Sequence, residues 1–326
     1  MLAAWDNRYA DDVIALWNKM AVRDSYKEMT PESFSGIFLN NPYFDGKNTF
    51  VWLEDGAVAG FACGCTGDDL PLGDIAGYIT CIVIDGGDAS IESQHRYKTM
   101  LAALEMRFRE LGKKQADVLF FNPMQLPWYI PGTDRHEHNN APGVPIGSAL
   151  HSLLLQSGYA ERAVENAMYL KLGSFEVPES ILAKEAQAVE DGYTVELFDR
   201  DKHSGIREML DALGNPLWRK EIGESCENGT PVVIAALRGQ AVGFAGPVIR
   251  QANGRGYFAG IGVHPEHEGH GLGSSLFFRL CEAFQTIGTD YMSLYTGSNN
   301  PAIRIYERAG FKTVKQFAIM RRELEQ

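Results

Sequence analysis

Gly260-Ile-Gly-Val-His-Pro-Glu-His-Glu-Gly-His-Gly-Leu-Gly-Ser-Ser-Leu276 is the stretch whose reading decides the fold. The apolar run from Tyr257 to Val263 predicts a strand, and His264-Pro265 predicts a turn. Gly269, Gly271 and Gly273 follow at alternate positions. Leu272, Leu276, Phe277, Leu280 and Phe284 then recur at helical spacing, so a helix is expected over 271–287. The order is strand, glycine-rich loop, helix. A helix start carries unpaired N–H groups and the positive end of the helix dipole. Glycines there admit a ligand to the backbone with no Cβ in the way. Such a loop reads as a phosphate or pyrophosphate cradle built from main chain.

Working outward, the 326 residues suffice for two domains of ordinary size. An apolar fraction of 45% and a charged fraction of 22% fit a water-soluble globular chain. No apolar run is long enough for a membrane span, and Met1-Leu-Ala-Ala-Trp-Asp6 does not read as a secretory leader. A net charge of −12 with no offsetting basic tract argues against nucleic acid as a partner. It leaves room for a phosphorylated ligand held by backbone amides. Five cysteines, Cys63, Cys65, Cys81, Cys226 and Cys281, suggest free thiols in a reducing, cytoplasmic setting.

The chain repeats itself. Helices are expected at 9–22 and from Thr30-Pro31, strands at 49–53, 57–65 and 78–84, a helix at 97–111 and a strand at 118–121. A long Pro-, Gly- and His-containing loop at 122–147 precedes a helix at 147–156 and a strand at 167–172. Within it, Trp128 to Asp134 is a candidate flap over a substrate, and His136-Glu-His138 reads as a mobile polar piece rather than a metal site. After a polar connector, strand, helix, hairpin, strand, helix, strand, helix and strand run again from Tyr193 to Arg321. Asp55-Gly-Ala-Val-Ala-Gly-Phe-Ala62 lies over Arg238-Gly-Gln-Ala-Val-Gly-Phe-Ala245, 183 positions later. Gly158-Tyr159, Met168 and Leu172 lie over Gly310-Phe311, Met320 and Leu324, 152 positions later. The expected organisation is a first copy at 1–173, a connector at 174–192 and a second copy at 193–326.

Three motifs of the second copy, in order, resemble the GNAT acetyltransferase superfamily. Glu268-Gly-His-Gly271-Leu-Gly273 stands where the family has Gln/Arg-x-x-Gly-x-Gly/Ala. Asn299-Asn-Pro-Ala302-Ile303-Arg-Ile-Tyr306 matches its Asn-x-x-Ala helix ending in Tyr, and Gly310-Phe311 precedes the last strand. The resemblance implies an α/β (α+β) GNAT fold in two tandem copies, each a mixed, mostly antiparallel twisted sheet flanked by helices. It also implies acetyl-CoA as cosubstrate, in a V-shaped gap between two strands. The pantetheine arm would pair with Ile261, Gly262 and Val263, and the pyrophosphate would rest on Glu268, Gly269, His270, Gly271, Leu272, Gly273 and Ser274. Asn299 matches a pantetheine contact, and Tyr306 the tyrosine that protonates the leaving thiolate. Glu268 departs from the family pattern; its carboxylate is expected to turn outward from a pyrophosphate or to cap the helix through its neighbours.

The first copy keeps the fold signature but not the loop: Glu92-Ser-Gln-His-Arg-Tyr97-Lys-Thr puts large side chains where a cradle needs none. At the same offset Tyr306 falls on Leu154 and Asn299 on Gly147. The layout is similar to that of mycothiol synthase and related two-domain acetyltransferases, with a degenerate first copy. His264, His267 and His270 are spaced three apart, but across a turn and a loop they do not converge as zinc ligands do, so no metal is expected. His264 and Glu266 flank the end of the strand and stand as candidate bases, with neither assigned. The expected function is N-acetyl transfer to the primary amine of a small molecule, by a soluble protein that binds neither nucleic acid nor membrane and could form a homodimer. Transfer to a protein or peptide amine and a non-catalytic CoA-binding scaffold are the alternatives.

Overall fold

In each half of the chain, among the described residues, strands that mostly pair antiparallel include one parallel pair. The structure is a computed structural model and describes residues 1–86 and 90–324. Gly87 and the last two residues of the expected second copy lie outside them. The chain divides into two compact units: 1–167 with 295–299 and 313–324, and 168–294 with 300–312. Strand residues 313–323, which the repeat assigns to the second copy, therefore pack in the first unit.

The first unit opens with β1 (Leu2–Ala4), α1 (Ala10–Met20) and the short α2 (Pro31–Phe34). Thr30 caps α2 by accepting from the Ser33 amide at 3.2 Å, with Pro31 at the first helical position where no N–H is required. Next come β2 (Thr49–Glu54), β3 (Ala57–Cys65), β4 (Ala76–Ile84), α3 (Ile91–Glu110) and β5 (Gln115–Val118). Asp55-Gly56 turns β2 into β3, both residues with positive φ, the backbone that such a tight hairpin requires. The long loop carries β6 (Trp128–Tyr129), β7 (Glu137–His138) and β8 (Val144–Pro145) before α4 (Ala149–Gln156) and β9 (Ala160–Lys171).

The second unit contains α5 (Glu179–Glu190), β10 (Tyr193–Leu197), α6 (Ile206–Leu213), α7 (Pro216–Asn228), β11 (Val233–Leu237), β12 (Gln240–Gly246) and β13 (Ile249–Arg250). It continues with β14 (Arg255–Tyr257), β15 (Gly260–Val263), α8 (Leu272–Thr286), β16 (Tyr291–Gly297) and α9 (Ile303–Arg308), and the chain closes on β17 (Lys312–Glu323).

In the first unit the strands run β1-β2-β3-β4-β5-β17. β4 and β5 are the parallel pair, in register only from Ala76↔Gln115 to Tyr78↔Asp117, with α3 as the crossover a parallel connection needs. Just past them β4 bulges: Cys63 faces Cys81 and Gly64 faces Ile79, leaving Thr80 as the extra residue. In the second unit the parallel pair is β14 with β16, Arg255↔Tyr291 and Gly256↔Met292, with α8 as crossover. β15 belongs to a separate sheet, β10-β11-β12-β15. Such mixed, mostly antiparallel sheets with flanking helices are the fold class expected from the sequence.

The loop at 122–147 is not a mobile polar segment. Trp128 is 1% exposed; its indole N–H donates to the Asn140 carbonyl at 3.0 Å and to the Tyr295 hydroxyl at 2.6 Å. His138, also buried, stacks on Trp128 at 6.0 Å between ring centroids. Trp128 is thus a core side chain of the first unit, while Pro131, Gly132 and Asp134 of the expected flap are exposed. All five cysteines are buried and unpaired.

The parallel pair of the first unit is sealed by Phe108 of α3. A Cβ on Gly77 would sit 2.2 Å from its ring, and one on Gly64 2.8 Å from it. Gly77→Ala is expected to destabilise the protein by about 1–3 kcal/mol through overpacking. Urea denaturation checks this: the midpoint should fall while the slope is unchanged.

Candidate active site

The site begins with the strand that changes sheets. A single strand is expected over 257–263; the structure breaks it into β14 and β15 at Phe258-Ala259. The opposing hairpin strand breaks at the same level, between β12 and β13, where Pro247 has no N–H to give the ladder. β14 stays against β16 while β15 follows β12, so the strand leaves β16 after only two paired residues.

Arg255 fixes the point of departure. Its guanidinium, on a residue 6% exposed, donates to the Ser293 hydroxyl at 2.7 Å, the Ser293 carbonyl at 2.8 Å and the Gln251 side-chain oxygen at 3.1 Å. The side chain on β14 thereby grips the backbone of β16 where the two strands are still paired.

Gly260 and Gly262 fall on one face of β15. A Cβ on Gly260 would meet the Trp218 indole at 2.4 Å, and one on Gly262 would meet Leu213 at 2.9 Å. These glycines make room for α7 and α6, and the Trp218 N–H donates to the Ala259 carbonyl at 3.1 Å. Ile261 and Val263 point the other way, onto the core that includes α8. Among the described residues β15 pairs only with β12, so one edge of Ile261, Gly262 and Val263 keeps its backbone groups open.

The loop after β15 is held from outside and left free inside. The His264 amide bonds the Val242 carbonyl at 2.7 Å, and His264 Nδ1 accepts from the Glu266 amide at 3.2 Å. His267 Nδ1 lies 3.0 Å from the Tyr193 hydroxyl, and His270 Nδ1 lies 3.5 Å from Asp191. These two histidines brace the loop against the start of β10; they are not simply solvated. Gly269 and Gly271 have φ of +87° and +76°, where a side chain would be strained. The Ser274 and Ser275 amides bond the Gly271 carbonyl at 3.1 and 3.2 Å. Among the described residues, the amides of Gly269, His270, Gly271, Leu272 and Gly273 have no acceptor. Glu268 is exposed, carries no ion pair among those residues, and leaves α8 uncapped.

Tyr306 of α9 is 7% exposed and packs on Phe277 of α8, centroids 4.8 Å apart. Ile305 beside it approaches to 4.0 Å of where a Cβ on Gly273 would stand, so α9 lies against the start of α8. The Tyr306 hydroxyl has no hydrogen-bond partner among the described residues, and burial pushes its pKa up from the ordinary value. Asn299 is in an exposed turn of the segment 295–299, which belongs to the first unit. The second unit by itself assembles Ile261 to Val263, Glu268 to Ser274 and Tyr306.

Sequence reasoning missed Arg255, the helix α7 that carries Trp218, and the contact of Tyr193 with the loop. Asn215-Pro216, a cap followed by the residue suited to a first helical position, and Gly229 at the far end were a usable signal for α7. Nothing local marks Arg255 or Tyr193, whose partners lie 38 and 74 residues away. Among the described residues there is no group of three His, Cys, Asp or Glu able to hold a metal ion, and no helix long and apolar enough to cross a membrane.

A family model described as Acetyltransferase (GNAT) family matches residues 194–311. No curated protein matches in sequence. Among solved structures, a GCN5-related N-acetyltransferase from Sphaerobacter thermophilus is similar over 100% of this chain and 96% of its own, with a TM-score of 0.60 at 15% identity. A tandem GNAT protein from the clavulanic acid biosynthesis pathway, solved without AcCoA, is similar over 100% and 99%, with a TM-score of 0.56 at 14% identity. A GCN5-related glucosamine N-acetyltransferase region of a fungal multi-domain GH3 β-N-acetylglucosaminidase gives 0.62 at 15% identity, over 99% of this chain and 38% of that one.

Arg255→Met is expected to cost about 1.5–3 kcal/mol, the range for hydrogen bonds made by a charged group. Chemical denaturation checks it, with Arg255→Lys recovering part of the loss.

Proposed function

We propose that residues 194–311, which match the acetyltransferase (GNAT) family model, form an acyltransferase domain that moves an acetyl group from acetyl-CoA to the primary amine of a small molecule. The acyl-transfer copy is residues 193–326. The observation that carries this reading is the row of unsatisfied amides from Gly269 to Gly273 beside the open edge of β15. Backbone donors at a helix start suit a diphosphate. An open strand edge suits the amides of a pantetheine arm, bound as an added strand along Ile261, Gly262 and Val263.

The acceptor nitrogen attacks the thioester carbonyl carbon directly. The tetrahedral centre then collapses, the carbon–sulfur bond breaks, and the thiolate takes the Tyr306 proton; the nitrogen's proton leaves to a base or to water. Tyr306 suits the acid role because its hydroxyl donates to nothing else and its buried ring holds the proton. His264 accepts at Nδ1 in the turn, so its neutral ring carries the hydrogen on Nε2 and acts as a base only by giving up that turn contact; exposed Glu266 is the other candidate. The five unpaired cysteines favour a reducing, cytoplasmic setting. The reaction requires no metal.

A CoA-release assay over a panel of small amines tests the function; binding of acetyl-CoA with no release from any amine would sink it. Tyr306→Phe should lower kcat by about 10²-fold, at the low end for a general acid, with acetyl-CoA affinity unchanged by calorimetry. The pH profile follows from the sign of the shift. Burial disfavours the phenolate, so the active, protonated form outlasts the ordinary phenol pKa of about 10. The basic side of the kcat profile should therefore show no fall due to Tyr306 up to about pH 10. A limb below that which vanishes in Tyr306→Phe would contradict the assignment.

A further inference from the structure

The segment expected to be a polar connector holds a helix, α5, and that helix is fixed to the site. Ile181 and Ala188, seven positions apart, are buried on one face. Glu185 between them receives Arg279 of α8 through two contacts, at 3.0 and 2.5 Å. This two-pronged pair sets the rotation of α5 about its own axis. The residue before Glu185 is Lys184, and its stem lies over the loop. Its Cδ and Cβ stand 3.6 and 3.8 Å from where a Cβ on Gly271 would be. The ammonium is two bonds beyond that Cδ. Lys184 is exposed and, among the described residues, has no acid or hydrogen-bond partner.

The loop's own charge is the wrong sign for a diphosphate. Glu266 and Glu268 are both exposed there, Glu268 at the motif position where the resemblance leads one to expect Gln or Arg. Of the charges beside the loop, His270 faces Asp191, and Glu185 is spent on Arg279. Backbone amides supply directed donors but no net charge. Lys184 is a cation that stands unpaired among the described residues, with its stem over Gly271.

We propose that Lys184 is a donor-site residue whose ammonium pairs with the diphosphate of acetyl-CoA over Gly271, replacing in space the positive or neutral group that Glu268 displaced in sequence. The inference rests on the acetyl-CoA reading of the loop. A Cβ on Gly271 would meet the lysine stem only at ordinary van der Waals distance, so it is the left-handed backbone that favours glycine there.

Calorimetry with two ligands tests it: acetyl-CoA, and S-acetylpantetheine, which lacks the diphosphate. Lys184→Ala should weaken acetyl-CoA binding by about 5- to 20-fold and flatten its salt dependence, because one charge-assisted contact is lost. It should leave S-acetylpantetheine binding unchanged, and Lys184→Arg should bind acetyl-CoA like wild type. Wild type that binds acetyl-CoA while Lys184→Ala binds it within twofold overturns this inference alone. Equal weakening toward both ligands overturns it too, since the effect would then not lie at the diphosphate. Wild type that fails to bind acetyl-CoA overturns the donor-site reading and this inference with it.

Discussion

A parallel strand pair that stops after two or three residues is the constraint on which the rest of this structure depends. Parallel pairing requires a crossover, and in both units the crossover is the main helix, α3 or α8. Were the strands to stay paired, each sheet would be closed at this point. They part instead: β4 bulges at Thr80, and the second unit's strand changes sheets at Phe258-Ala259. In the second unit, parting leaves an open strand edge and a helix start with spare amides, while Arg255 keeps the two strands joined at the base. Without a fixed base the opening would have no defined width.

The two copies share this geometry and differ in what they do with the helix start. In the first, Ser90 accepts from the Ser93 amide at 3.0 Å, and Arg96 is held by Glu92 and Glu54, each at 2.7 Å. Those contacts occupy the Arg96 Nη2 and the Ser93 amide, so a ligand would have to displace them. In the second, Gly271 stands at the cap position with no side chain to serve the helix, and the amides wait. Leu154 is fully buried at the place that corresponds to Tyr306, so the first copy also lacks the phenol. One copy has a side-chain cap at its helix start, and the other leaves its amides without an acceptor among the described residues.

Much of this was legible from local pattern. Hairpin turns at Asp55-Gly56 and Arg238-Gly239, the helix after Gly271 and the two-copy repeat all rest on neighbouring residues, which sequence displays directly. Boundaries drifted where apolar residues did not mark them. α3 begins at Ile91, not at 97, because Ser90 caps it and its first turn is polar. Residues 120 and 121, expected at the end of a strand, lie past β5, where Phe120 and Phe121 are exposed. α7 has a weak apolar stripe and went unseen, which also hid why Gly260 and Gly262 must be glycine: Trp218 and Leu213 occupy the space. The long loop reads as polar, yet Trp128 and His138 are core, since burial there comes from hydrogen bonds and stacking that composition does not record.

By itself the sequence determined most of the order of elements and the strand–glycine loop–helix succession, because each depends on residues a few positions apart. Only the tertiary structure decided where the strand leaves its sheet, which of the loop's amides stay unsatisfied, and which distant side chains meet there. Arg255 reaches Ser293, Tyr193 reaches His267, and Lys184 lies over Gly271. These are contacts across many tens of residues, set by how helices and strands pack. No local periodicity encodes them, since the groups become neighbours only when the core on which they stand has closed.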